Sequence, residues 1–186
     1  MASHLRQTSI AVAVTLLAGL SAAVTATPAQ AAGDYNYLVF NKNWSDQTKS
    51  SLTLYRYLSS RDRVVKVDSW RAGSGSNHNA CRHNGGGWLP NGTYKIKTKQ
   101  KNFDGTKIKG YVMQLADFRC GNNQLRDELF IHSEMKKNGY PGSSEQWRWT
   151  DSNPNDYYSA GCVKLRPSAI KELFEYAKPT KLVVVT

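Results

Sequence analysis

Ser51-Leu52-Thr53-Leu54-Tyr55-Arg56-Tyr57-Leu58 sets Leu at 52, 54 and 58, with Arg56 the exception in that register, and interleaves Ser, Thr and Tyr. A period of two with β-branched and aromatic residues is the mark of a half-buried strand. Upstream, Tyr35-Asn36-Tyr37-Leu38-Val39-Phe40 repeats the pattern. Downstream, Arg63 to Trp70 does so with Val65 and Val67 on one face. A long loop from Arg71 to Pro90 follows, rich in glycine, and Pro90-Asn91-Gly92 turns the chain into Thr93-Tyr94-Lys95-Ile96-Lys97. Lys109 to Leu115, Leu129-Phe130-Ile131-His132 and Lys181-Leu182-Val183-Val184-Val185 are further strands. One helix is expected: Pro167 suits a first turn, Ile170, Leu173, Phe174 and Ala177 recur at helical spacing, and Pro179 stops it. Many short strands and one C-terminal helix predict a mainly β fold, a sandwich or closed barrel.

The chain has 186 residues, 40% hydrophobic and 21% charged, with 11% aromatic side chains. This composition excludes a membrane bundle and a disordered tail. Arg6 is the only formally charged side chain before Asp34; it precedes an apolar stretch from Ile10 to Val24, and Ala29-x-Ala31 offers the small residues of a cleavage site. Residues 1–31 read as a secretory signal peptide and 32–186 as a single secreted domain, with no stable membrane insertion after cleavage. Losing Arg6 lowers the net charge of +11 by one, to +10. That charge favours polyanions, either nucleic acid or the phosphate and carboxylate polymers of a bacterial envelope.

Export makes the odd count of three cysteines informative, because two can pair and one cannot. Cys81 and Cys120 lie in polar loops suited to a staple. Cys162, in Tyr157-Tyr158-Ser159-Ala160-Gly161-Cys162-Val163-Lys164-Leu165, sits where a tight loop enters a strand, a position suited to an exposed nucleophile. The amides around Ser159, Ala160 and Gly161 are then candidates to hold an oxyanion. A base for the thiol must be His78, His83 or His132, and His132 at the end of an apolar strand has the most rigid platform. A histidine in reach would form a thiolate–imidazolium pair with the cysteine. His78-Asn79-Ala80-Cys81-Arg82-His83 matches no common zinc spacing, and Gly85-Gly86-Gly87 lacks the lysine and helix of a phosphate loop, so no metal or other cofactor is expected. Trp147 and Trp149 read as packing residues rather than groove lining.

A histidine at a strand end followed, after a variable segment, by Ser159-x-Gly161-Cys162-Val163-Lys164-Leu165 resembles the signature of the L,D-transpeptidase (YkuD-type) family. Trp88-Leu89-Pro90-Asn91-Gly92-Thr93-Tyr94-Lys95-Ile96 resembles that family's Thr-Pro-x-Gly-x-aromatic-x-Ile segment. Three departures stand out: Ala160 replaces the usual histidine, Lys164 replaces arginine, and the interval from His132 to Ser159 is long, so Lys136 to Asp156 is expected to form a lid. The resemblance implies acyl transfer on peptidoglycan stem peptides, with Cys162 as nucleophile and His132 as base. It also implies anionic cell-wall polymers, not nucleic acid, as surroundings. An L,D-carboxypeptidase with the same residues, and a non-catalytic secreted protein binding wall or nucleic acid, are the competing readings.

Overall fold

The computed structural model describes residues 33–82 and 86–186, so the expected signal peptide and His83 lie outside the described residues. Ten strands form: β1 (Tyr35–Asn41), β2 (Ser50–Leu58), β3 (Arg63–Ser74), β4 (Gly92–Asp104), β5 (Lys109–Leu115), β6 (Phe118–Arg119), β7 (Leu125–Arg126), β8 (Phe130–His132), β9 (Val163–Lys164) and β10 (Lys181–Val185). Eight of them close into a barrel in the order β1-β10-β4-β5-β8-β9-β3-β2, and β6 and β7 make a separate two-stranded ribbon. β1 runs parallel to β10 and β8 parallel to β9; the other neighbours are antiparallel. The mainly β fold is thus the one expected, and the barrel is its closed form.

Alternation decides what goes inside. Leu38, Phe40, Leu52, Leu54, Met113, Leu115, Ile131, Val163, Leu182 and Val184 share one core, each fully buried aliphatic or aromatic side chain contributing about 1.5–3 kcal/mol. The helix α1 (Pro167–Glu175) adds Ala169, Ile170, Leu173 and Phe174 to that core. It ends before Ala177 because Lys178 precedes a proline, which disfavours helical backbone, and Lys99 donates to the carbonyls of Phe174 and Tyr176 at its end.

Two strands differ from the expectation for one reason. β4 continues far beyond Lys97, with register shifts between Ile96 and Thr98 and between Gln100 and Phe103. Bulges break the period of two, so the polar second half of the strand looks like loop. In β3 the register passes from Leu54↔Asp68 to Tyr55↔Lys66, leaving Val67 as an extra residue. Val67 is therefore exposed while Val65 is half-buried, and the two do not share a face as the spacing suggested.

Candidate active site

The pairing of β8 with β9 assembles the site. Ile131 pairs with Val163 and His132 with Lys164. Since Ile131 and Val163 point into the core, the period of two turns Phe130, His132, Cys162 and Lys164 to the outer face. On that face Phe130 and Cys162 pack together with Val112, beside Phe103 and Ile108 of the β4–β5 hairpin. His132 lies one strand over and two residues along from the thiol.

Connecting segments cover this outer face and leave a cavity of about 800 Å³, lined among others by Cys162, His132, Arg126, Phe103, Trp147 and Tyr158. The segment from Lys136 to Asp156 forms one wall. Asp156 is buried and accepts from the Thr150 amide at 2.8 Å and from Asn153 Nδ2 at 3.0 Å, while Gln146 reaches Thr106 of the β4–β5 hairpin at 3.3 Å. Trp147 lines the cavity, contrary to the packing role expected of it; Trp149 does pack, edge-on against Tyr157 with ring centres 4.9 Å apart.

Cys162 is the free cysteine, and Cys81 is joined to Cys120. The thiol is not exposed, as its loop position suggested, but only 8% accessible, opening onto the cavity. Burial pushes its pKa up to about 11, with Phe130, Arg126 and Lys164 pulling weakly the other way. Burial, then the neighbouring Lys164 charge, brings His132 down to about 3. Desolvation penalises both charges and so favours a neutral thiol and a neutral imidazole over the expected ion pair. His132 Nδ1 lies 3.1 Å from the Ser133 carbonyl. A carbonyl only accepts, so Nδ1 carries the proton and Nε2 offers a lone pair.

The turn before Cys162 is built around Ser159 and Arg126. Ser159 Oγ donates to the Cys162 carbonyl at 2.7 Å and accepts from the amides of Gly161 and Gly75, both at 3.0 Å. The Gly161 amide, expected to face an oxyanion, is thereby engaged inside the turn. Gly161 has φ +130°, and a Cβ there would meet Arg126 Nη2, so the backbone favours glycine and any side chain would displace the guanidinium. Arg126, only 5% exposed, donates to the carbonyls of Ala80, Gly87 and Ala160. Among the described residues its hydrogen bonds go to carbonyls, and its charge acts on Cys162. The β6–β7 ribbon carries both Arg126 and Cys120, and the disulfide ties that ribbon to Ala80-Cys81. No signal in Leu125-Arg126-Asp127-Glu128 singles Arg126 out, since the run has the polarity of a surface loop.

Lys164 forms a largely buried ion pair with Glu134 beside His132. His78 is not gathered here. Its Nε2 lies 2.9 Å from the Trp44 carbonyl, and its ring packs at a tilt against Trp44 and Trp88, beside a separate cavity of about 420 Å³. Among the described residues no three His, Cys, Asp or Glu side chains gather as a metal site.

The model of the YkuD family, the L,D-transpeptidase catalytic domain, matches residues 46–185. The chain belongs to the YkuD family. Among solved structures this YkuD domain resembles Bd1075 of Bdellovibrio bacteriovorus at 16% identity and TM-score 0.50, over 81% of this chain and 48% of that one. It likewise resembles the helical cell shape determining protein Pgp2 of Campylobacter jejuni at 13% identity and TM-score 0.52, over 82% and 48%. At these identities the likeness is one of fold, and the YkuD chain spans about half the length of either structure. No curated protein matches the sequence. Membership of this family supports a peptidoglycan-related function.

Proposed function

We propose that the protein is a cysteine-dependent acyltransferase acting on peptidoglycan stem peptides, an L,D-transpeptidase. The observation that carries this reading is a free thiol and a histidine with an available Nε2 on one sheet face, opening into one cavity, in a chain of the YkuD family.

In the reaction, His132 Nε2 removes the Cys162 proton as Sγ attacks the stem-peptide carbonyl. Proton transfer accompanies attack because neither ion is stable beforehand at this depth. The carbonyl π electrons move to oxygen, and the oxyanion forms over the Ala160–Cys162 turn, toward which Arg126 brings positive charge. The tetrahedral species collapses, the C–N bond breaks, and His132 returns the proton to the leaving amine of the terminal D-amino acid. An acceptor amine then attacks the thioester and loses its proton to His132, the C–S bond breaks as the new amide forms, and His132 returns that proton to Cys162 Sγ. If water takes the acceptor's place the product is a carboxylate, and the enzyme is an L,D-carboxypeptidase.

Residues 1–31 act, in this reading, as a secretion signal, and the basic mature domain works outside the cell among anionic wall polymers. The test is incubation with defined tetrapeptide muropeptides followed by mass spectrometry. Loss of the terminal residue with cross-linked dimers supports transpeptidation, and loss without dimers supports the carboxypeptidase. No change with the wild type, or turnover retained in Cys162→Ser, overturns the proposal.

A further inference from the structure

The far side of the barrel carries a second array of side chains with no part in this chemistry. In the closed strand order β1 lies four strands from β8 in either direction, so the face built on β1 is opposite the cavity. Strand register sets five outward residues in one cross-sheet row. Lys95 of β4 pairs with Lys181 of β10; β10 meets β1 with Leu182 against Leu38, which sets Lys181 beside Tyr37; Tyr37 pairs with Tyr55 of β2; and Tyr55 pairs with Lys66 of β3. At roughly 4.8 Å between strands the row is about 19 Å long.

Its members interact as that register requires. The Tyr37 and Tyr55 rings stack with centres 5.5 Å apart and planes 19° from parallel, and Lys181 Nζ stands 5.6 Å from the centre of Tyr37 and 5.8 Å from that of Tyr35. Tyr35 and Tyr57, 5.2 Å apart, continue the aromatic surface one row along. Two acids at the end of this surface are engaged: Asp62 accepts from the Tyr57 hydroxyl and Asp34 caps Ser59. Among the described residues Lys66, Lys95 and Lys181 enter no ion pair. Lys95 directly opposite Lys181 is a like-charge cross-strand pair, an arrangement that destabilises a sheet unless an anion lies over it.

We propose that this row is an exosite for an anionic polysaccharide, its sugar rings lying on Tyr37 and Tyr55 and its carboxylates or phosphates meeting Lys66, Lys95 and Lys181. Apolar ring faces and flanking cations match the two surfaces of such a chain, and the length of the row accommodates several sugar units. The inference deepens the reading of an anionic wall polymer as partner and is independent of the chemistry at Cys162. Held on its far side, the domain would present its catalytic cavity away from the bound polymer.

The test is fluorescence anisotropy of the mature domain with fluorescein-labelled oligogalacturonate, with neutral dextran and single-stranded oligothymidine as comparison probes. Oligogalacturonate should bind and dextran should not. The triple variant Lys66→Glu, Lys95→Glu, Lys181→Glu should weaken binding roughly 100-fold, on a scale of about fivefold per lysine near a polyanionic surface. A control with the same charge change, Lys101→Glu, Lys136→Glu, Lys178→Glu, should weaken it much less. Tyr37→Ala with Tyr55→Ala should cost several-fold at unchanged salt dependence. Thermal unfolding checks that each variant folds. Equal losses in the two triple variants overturn the exosite while leaving the partner reading standing, and no binding by the wild type overturns both. Tyrosine variants without effect, or tighter binding of oligothymidine through the same residues, overturn the polysaccharide as occupant.

Discussion

Two outer faces of one barrel obey the same alternation and end in different environments. On β8 and β9 the outward residues Phe130, His132, Cys162 and Lys164 are all buried, because the β4–β5 hairpin and the segment from Lys136 to Asp156 are laid over them. On β1, β2 and β10 the outward residues Tyr37, Tyr55 and Lys181 are half-buried among neighbouring side chains of the same face, with Lys66 and Lys95 exposed beyond them. Strand pairing sets which way a side chain points, and the connections decide whether it meets water. Ionisation follows from the second choice: the covered thiol is held up at about 11 and the covered imidazole down at about 3.

The largest effect expected of this asymmetry is on activity. His132→Ala should slow acylation of Cys162 by roughly 100- to 10,000-fold, the usual cost of removing a general base, while leaving the thermal transition close to wild type. Near wild-type turnover would show that His132 is not the base. Stability comes next, at the covered turn. Gly161→Ala forces a Cβ into Arg126 Nη2 at a positive φ and should cost about 3 kcal/mol or more. Arg126→Met, which removes the guanidinium donor from the Ala80 and Gly87 carbonyls and leaves Ala160 with the Gly86 amide alone, should be of similar size, about 3 kcal/mol. Denaturant midpoints measure both.

The pH dependence of stability separates the faces further. The folded value of His132, about 3, lies below its ordinary 6.5, so its neutral form favours folding above pH 6.5 and that contribution is lost as the pH falls from there toward 3. Cys162 has the opposite sign: its folded value of about 11 exceeds the ordinary 9.0, so its contribution is complete below pH 9 and lost as the pH rises toward 11. Stability should therefore plateau between these limits. Cys162→Ala should remove the thiol's share of the alkaline decline, about 3 kcal/mol. An unchanged alkaline limb in that variant would show a solvated thiol. The smallest effect belongs to the open face, where Tyr37→Ala should cost less than about 1 kcal/mol, the scale of a cross-strand pair, and leave acylation and both pH limbs untouched.

What could be read in advance follows from the same physics. β1 and β10 keep a strict period of two, β5 is an apolar run buried on both faces at Val112 and Met113, and the bounds of all three are close to those expected from Tyr35–Phe40, Lys109–Leu115 and Lys181–Val185. The second half of β4 was hidden because its bulges scramble the period. The special context of Cys162 was legible in its small neighbours, Ser159 to Gly161. Its burial was not, since the residues covering it come from the bulged far end of β4, at Phe103, and from connections, at Ile108 and Trp147, whose course no local pattern dictates. Arg126 was invisible for a related reason. Its partners are main-chain carbonyls from loops 34 to 46 residues away in sequence, and backbone acceptors leave no mark in composition.

The most direct measurement of the central claim is intact-mass spectrometry of the folded domain after incubation with a carbapenem, whose strained lactam carbonyl stands in for the scissile amide. A thiol and a neutral imidazole in one cavity should open that ring and retain the drug as a thioester. The account predicts one added drug mass, located by peptide mapping at Cys162 and absent in Cys162→Ser. An unmodified mass after hours, in protein shown to be folded with Cys162 reduced, would contradict it.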